Sequence, residues 1–161
     1  MHLRPATPED AEAVAAIWSA GWVDGHLGNV PDELVAVRTP ESFATRAPQR
    51  VGDTTVAEVD GVVVGFTMVH GDEVDQVYVA PAARGSGVAA ALLDEAAQRI
   101  AAAGHGRAWL AVVPGNARAR RFYERQGWRD EGLFTLDASG VPTPCHRYVR
   151  DVDVRDPGPG G

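Results

Sequence analysis

Apolar and polar positions recur along the chain with two periods, and the change from one to the other marks the elements. Residues 3–6 read as a short first strand. Thr7-Pro8-Glu9-Asp10 then has the form of a helix start: Thr7 as cap, Pro8 at the first helical position, Asp10 completing a capping box. Ala11, Val14, Ile17 and Trp18 return at helical spacing and predict one apolar face. The glycines between 21 and 28 break that pattern, so residues 21–28 are expected to form a loop. Pro31-Asp32-Glu33-Leu34 and Thr39-Pro40-Glu41 each open a further short helix.

Beyond residue 53 the period drops to two. Residues 54–59 and 62–69 read as strands joined at Asp60-Gly61, a strong hairpin signal between β-rich runs. A second turn at His70-Gly71-Asp72 leads into a strand over residues 74–79, ended by Pro81. Val88, Leu92, Ala96 and Ile100 mark a helix that Gly104 stops. Residues 108–113 form the next strand. Asn116 caps a helix expected to run to Gln126 and to end at Gly127. Residues 128–136 and 146–149 are the last two strands, with Ser139-Gly140 in the turn between them. With the two short helices taken as one helical segment, the order is β-α-α-β-β-β-α-β-α-β-β, an α/β (α+β) fold with a mixed sheet flanked by helices. One domain over residues 1–151 is expected, followed by a Pro/Gly-rich tail at 152–161 with nothing to bury and therefore disordered.

Composition narrows the function classes. The chain has 161 residues, of which 45% are hydrophobic, a normal size for one compact core. No run of 18 apolar residues predicts a transmembrane helix, and the N-terminal residues lack the apolar stretch of a signal peptide. A single cysteine, Cys145, forms no intramolecular disulfide; a reduced, cytoplasmic protein is expected. The net charge of -7 argues against nucleic acid and anionic membrane as partners. All 15 basic residues are arginine, and genome-wide compositional bias accounts for the missing lysines. The placement of the arginines says more than their number. Arg118, Arg120, Arg121 and Arg125 cluster, and Arg84 stands beside glycines. A locally positive site on an acidic chain suits a small polyanionic ligand.

The most informative stretch runs from Val77-Tyr78-Val79-Ala80-Pro81 through Arg84-Gly85-Ser86-Gly87-Val88-Ala89. A strand enters a glycine-bearing turn, and the turn opens a helix. Glycine lets backbone N–H groups approach a ligand, the helix N-terminus adds partial positive charge, and Arg84 adds a formal one. Together they form a pyrophosphate cradle. A Walker A loop is excluded, since it needs a lysine. Gly85-x-Gly87-x-x-Ala90 fits a dinucleotide fingerprint formally, yet the acidic residue expected at the end of the next strand is replaced by Val112-Val113-Pro114. A nicotinamide-binding protein is therefore the weaker alternative, and a tight turn without ligand is the plain one.

Arg84-x-x-Gly87-x-Ala89 resembles the Gln/Arg-x-x-Gly-x-Gly/Ala signature of the GNAT acyl-CoA-dependent N-acyltransferases. Asn116-Ala-Arg-Ala-Arg-Arg-Phe122-Tyr123-Glu124-Arg-Gln-Gly127-Trp128 resembles that family's second motif, at the usual separation from the first. The element order matches the GNAT fold over residues 2–150, which implies a mostly antiparallel, splayed sheet of about seven strands. The resemblance implies an acetyltransferase that moves an acetyl group from acetyl-CoA, as co-substrate and without a metal, to a primary amine. The amine would belong to a small molecule or to a peptide or protein N-terminus and would attack directly in a ternary complex. It places acetyl-CoA between the fourth and fifth strands. Val77, Tyr78 and Val79 would line the pantetheine arm, with the backbone of Val77 and Val79 bonding it. Backbone N–H groups from Arg84 to Ala89, including Gly85, Ser86, Gly87 and Val88, would hold the pyrophosphate. A catalytically silent acyl-CoA sensor of the same fold stays open, as does a homodimer.

The chemistry needs an acid for the leaving thiolate and a route for the amine proton. The resemblance assigns Tyr123 as the acid, near the CoA sulfur; a half-buried aromatic that packs its helix is the alternative. Asn116 reads both as helix cap and as cofactor contact. One GNAT branch carries a glutamate in the fifth strand, where this chain has Ala111. Another carries one eleven positions before the first motif, which here is Glu73. Asp75, two residues on, shares its strand face, and ordered water is a further candidate base. A solvated hairpin charge is the ordinary reading of Glu73. The acceptor would be shaped by the first two helices and the last hairpin, with Trp22 and His26 in the expected loop. His26, His70 and His146 lack metal-ligand spacing, and Cys145 lacks a paired histidine. The net charge mildly favours a cationic acceptor.

Overall fold

The computed structural model describes residues 1–153; the tail expected from residue 152 onward lies almost wholly outside them. The elements are β1 (His2–Pro5), α1 (Ala11–His26), α2 (Asp32–Val37), α3 (Pro40–Gln49), β2 (Thr54–Val59), β3 (Val62–His70), β4 (Glu73–Val79), α4 (Val88–Ala102), β5 (Arg107–Val112), α5 (Ala117–Arg125), β6 (Arg129–Ala138) and β7 (Val141–Asp151). The seven strands form one sheet in the order β1-β2-β3-β4-β5-β7-β6. Every neighbouring pair is antiparallel except β4 and β5. Among the described residues no helix is long and apolar enough to cross a membrane.

The parallel pair makes the site. β4 and β5 meet at one register position, Glu73 opposite Trp109, reinforced by Trp109 N–H donating to the Asp72 carbonyl at 3.1 Å. Beyond that vertex the strands part. On the other side of β4, Met68 of β3 faces Gln76 while Val69 faces Val74, so Asp75 is an extra residue in the ladder. A bulge of this kind bends the strand and re-aims its side chains.

Helices cover both faces of the sheet. α1 and α3 bury Trp18, Trp22 and Phe43 with Phe66 and Met68 of β3, while α4 buries Leu93, Ala96 and Ile100 with Val74 of β4 and Leu110 of β5. These apolar sets are the ones that the helical and strand periods mark in the sequence.

The first helix differs from expectation in two ways. Pro8–Asp10 forms a 3-10 turn before the α-helix begins. Asp10 fastens the start of this turn, its carboxylate accepting from the Thr7 N–H at 2.8 Å and from the Arg4 guanidinium at 2.7 and 2.9 Å. The Arg4 guanidinium holds the Asp10 carboxyl down to about 2. The second difference concerns the predicted loop over 21–28, which is helical as far as His26. Gly21 and Gly25 disfavour a helix locally by roughly 1 kcal/mol each, but tertiary packing needs them bare. A Cβ on Gly21 would lie within van der Waals collision of the Tyr78 ring, and one on Gly25 would meet the Asn116 amide at 2.7 Å.

β7 also begins earlier than its apolar run suggested, at Val141. Pro142 and Pro144 pair only with β6; β5 joins β7 from His146 onward. The two prolines thus sit where one edge of the strand carries no ladder, which is where a sheet tolerates them.

Candidate active site

The parting of β4 and β5 opens a cleft of about 570 Å³. Its walls carry Glu73, Asp75, Val77, Tyr78 and Val79 from β4, Ala111 and Val112 from β5, and Asn116 and Tyr123 beyond it. Arg84, Gly85, Gly87 and Ala89 line the end at the glycine turn, and Trp22, His26, Arg38 and Arg46 line the side under α1 to α3. The two sequence motifs, 30 to 40 positions apart along the chain, thus face one cavity.

The turn presents free donors. Pro81–Ala83 is a 3-10 turn, and Gly85 and Gly87 follow with φ of 76° and 87°. A side chain there would strain the backbone, which is why glycine occupies both positions. The first intrahelical bond of α4 is Ala91 N–H to the Gly87 carbonyl, so the N–H groups of Val88 to Ala90 have no partner within the helix. Arg84 N–H donates to the Pro81 carbonyl and Ser86 N–H to that of Ala83, each at 3.3 Å. The cradle expected over residues 84–89 therefore narrows to the N–H groups of Gly85, Gly87, Val88 and Ala89. Neither the Ser86 nor the Val88 side chain joins it. Ser86 Oγ donates to the Ala83 carbonyl, and Val88, 3% exposed, packs against Ala57 and Leu92.

Along β4, Ala80 N–H donates to the Val64 carbonyl of β3. Alternation then turns the N–H groups of Val77 and Val79 away from β3, toward the edge that β5 has left. That stretch of edge has no ladder partner in the sheet, and such an edge is a template for a further extended segment.

The arginine cluster divides. Arg118 and Arg125 line the cleft. Arg120 instead donates to the Tyr148 hydroxyl at 3.2 Å and to Asp130 at 3.3 Å, fastening α5 to the last hairpin. Arg84 pairs with Asp24 of α1 at 2.5 Å across the mouth of the turn.

Tyr123 is half-buried, with its ring centroid 5.4 Å from Phe122 and 6.1 Å from Tyr148. Burial pushes its phenol up to about 12, so at neutral pH it is a hydrogen-bond donor. Asn116 caps α5, its Oδ1 accepting from Ala119 N–H at 3.2 Å, while its amide nitrogen lies over Gly25.

Glu73 stands at the vertex. Burial, and then the charges of Asp75 and Asp72, push its carboxyl up to about 7; Arg50 and Arg147 oppose the rise. Asp75 is differently placed, since Arg50 Nη1 donates to its carboxylate at 2.6 Å and Arg50 Nε to Asp53 at 3.0 Å. Of the two neighbouring carboxylates, Glu73 is thus poised to exchange a proton near neutrality and Asp75 is held in an ion pair.

Trp22 and His26 reach the cleft from a helix rather than a loop. Their rings stack at 4.8 Å, and His26 Nδ1 lies 2.9 Å from the Trp22 carbonyl. A carbonyl only accepts, so Nδ1 carries the hydrogen, and burial lowers the imidazole pKa. Trp22 is 5% exposed and belongs largely to the core. Cys145 lines the cleft as a β7 residue, its thiol raised to about 11 by burial. Among the described residues no group of three His, Cys, Asp or Glu is placed to hold a metal. Arg38, just after α2, and Arg46, in α3, fall within the helical stretch expected to shape the acceptor, but no motif in the sequence singles them out.

A splayed mixed sheet, an unpaired β4 edge and a glycine turn at a helix start meet in one cleft. Residues 15–128 match the Acetyltransferase (GNAT) family, and the chain belongs to that family. It is 38% identical over 101 residues to an uncharacterized N-acetyltransferase of Mycobacterium bovis, a match covering 60% of this chain and about 65% of the relative's length. It is 27% identical to the peptidyl-lysine N-acetyltransferase YjaB of Salmonella typhimurium, covering 92% of this chain and 97% of that one. The structure of yncA from Salmonella typhimurium with its cofactor acetyl-CoA superposes with a TM-score of 0.70. It is 20% identical and covers 99% of this chain and 97% of yncA. The fold is the GNAT fold, as the element order implied.

Proposed function

We propose that this chain transfers an acetyl group from acetyl-CoA to a primary amine by direct attack in a ternary complex. The observation that carries the reading is the cleft itself: one cavity joins the glycine turn, the open β4 edge, Tyr123 and Glu73. The free N–H groups of Gly85, Gly87, Val88 and Ala89 hold the pyrophosphate, with the helix N-terminus adding its field. Val77 and Val79 bond the pantetheine arm as an added strand. The thioester then lies near the vertex, between Tyr123 and Glu73.

Glu73 takes the proton of the incoming ammonium, and the neutral amine attacks the thioester carbonyl. The C–N bond forms, the C–S bond breaks, and the thiolate leaves as it accepts a hydrogen bond from Tyr123. The second amine proton completes the CoA thiol, so one proton is released per amide formed. With Tyr123 at about 12 and a thiol near roughly 8.5, full proton transfer from the phenol is uphill. Tyr123 therefore works chiefly by donating a hydrogen bond to the developing charge.

The open acceptor side favours turnover over a silent acyl-CoA sensor, in which that side would be plugged. The test follows thiol release across amines, amino acids and peptides alongside acetyl-CoA binding. Binding without release on any acceptor would replace the transferase with the sensor.

A further inference from the structure

The acceptor side of the cleft holds cationic groups that the transfer chemistry does not use. Arg46 reaches in from α3, and its guanidinium carbon lies 4.5 Å from the Trp18 ring centroid. Its Nη1 is buried with no hydrogen-bond partner among the described residues. Burial brings the Arg46 pKa down to about 10. The nearby acid that would pair with it, Asp75, is taken by Arg50 at 2.6 Å. Arg38, at the end of α2, lines the same wall and is half-buried. Among the described residues its side chain holds only the neutral Ser139 hydroxyl, at 2.8 Å. Arg46 is half-buried, and its sealed Nη1 lacks both an anion and a hydrogen-bond acceptor, an arrangement that is costly unless a ligand completes it.

We infer that the acceptor amine also carries a carboxylate, bound by the Arg46 and Arg38 guanidiniums while its amine faces Glu73. The wall is cationic at α2–α3 and acidic at the head of β4, a charge pattern complementary to an amino acid. A planar guanidinium fork suits a planar carboxylate with two acceptor oxygens. The cationic acceptor that net charge favours is thereby replaced by a zwitterion, because the local field in the cleft departs from that of the whole chain. This inference rests on the transferase reading only for the role of the amine. A free amino acid and the C-terminal residue of a short peptide share the required chemistry.

The test is calorimetric and needs no turnover. N-acetylated amino acids are titrated into the protein saturated with CoA, each beside the N-acetylated amine that lacks the carboxylate, with N-acetyl dipeptides as a third arm. The acid should bind about 10- to 100-fold more tightly than its partner, as charge-assisted hydrogen bonds are worth. Arg46→Met, whose unbranched side chain still covers Trp18, should abolish most of that ratio, and Arg46→Lys should restore part of it. Arg38→Met should reduce it independently. CoA binding reports that each variant is folded. Equal binding of acids and uncharged partners by the wild type, or an unchanged ratio in Arg46→Met, overturns the inference. Tight binding of dipeptides over single acids places the carboxylate at a peptide end. Discrimination without acetyl transfer keeps the subsite and removes the transferase; transfer to carboxylate-free amines with equal efficiency does the reverse.

Discussion

Replacing Glu73 with Gln keeps the shape of the side chain at the vertex of the cleft and removes its capacity to take a proton. At pH 7 an alkyl amine with a pKa of roughly 10.4 is neutral in about one molecule of 2,500, so the proposed transfer needs a group that removes the excess proton after binding. Glu73 at about 7 is half ionised there. In the wild type, kcat at saturating acetyl-CoA and amine should rise through pH 7 and then level. In Glu73→Gln the inflection should vanish, kcat at pH 7 should fall about 100-fold, within the range for general acid–base groups, and the rate should climb toward pH 9 as the ammonium loses its proton unaided. Stability moves in the opposite sense. Folding raises the carboxyl from an unfolded value near 4.5 to about 7, so the folded state binds the proton more tightly. The stabilisation that this proton provides is complete below about pH 4.5 and is lost as pH rises through 7. Discounted for solvent screening of a partly exposed group, the difference amounts to about 1 kcal/mol. Glu73→Gln should therefore be more stable than the wild type at pH 8 by that amount and gain nothing at pH 4. Thiol release monitored from pH 5.5 to 9.5, with urea melts at both ends, checks both. An unshifted kcat inflection near pH 7 in Glu73→Gln would refute the assignment.

Tyr123→Phe should lower kcat by only about tenfold and leave the acetyl-CoA dissociation constant unchanged by calorimetry, because the phenol is a weaker acid than the thiol it is proposed to serve. A Cβ at residue 21 collides with the Tyr78 ring, so Gly21→Ala should destabilise the fold by about 1–2 kcal/mol despite its better helix propensity, read as a lower urea midpoint. Since the chain has no lysine, prolonged incubation with acetyl-CoA should add at most one stable acetyl to an amine of the chain, at the N-terminus, by intact-mass analysis.

The strands and the later helices were legible because their periods survive in the sequence: Val88, Leu92, Ala96 and Ile100 all enter the core. The end of α1 was not, since Gly21 and Gly25 oppose a helix locally and only the approach of Tyr78 and Asn116 requires them. Nor was the start of β7, because the tolerance for Pro142 and Pro144 depends on an edge that β5 leaves free. In the site, motif spacing brought the glycine turn and Tyr123 together. It could not say that the Arg84 and Ser86 N–H groups are already bonded within the turn, or that Arg120 belongs to the last hairpin. Arg38 and Arg46 carried no motif at all. Their meaning comes from burial and from the ion pair that withholds Asp75, both of which are tertiary facts. The bulge at Asp75 is equally silent, being one extra residue in an ordinary β-rich run.

The most direct test of the account is acetyl-CoA binding and turnover on one preparation, with Gly87→Val beside the wild type. The wild type should bind acetyl-CoA but not NAD, with a stabilisation of roughly 2.7 kcal/mol at about 100 times the dissociation constant, and should release one thiol per acetylated amine. Gly87→Val forces a branched side chain onto a backbone with φ of 87° at the cradle, and should lose both binding and release while its far-UV spectrum stays native. Stabilisation by NAD and not by acetyl-CoA, or undiminished acetyl-CoA binding in Gly87→Val, would contradict the site.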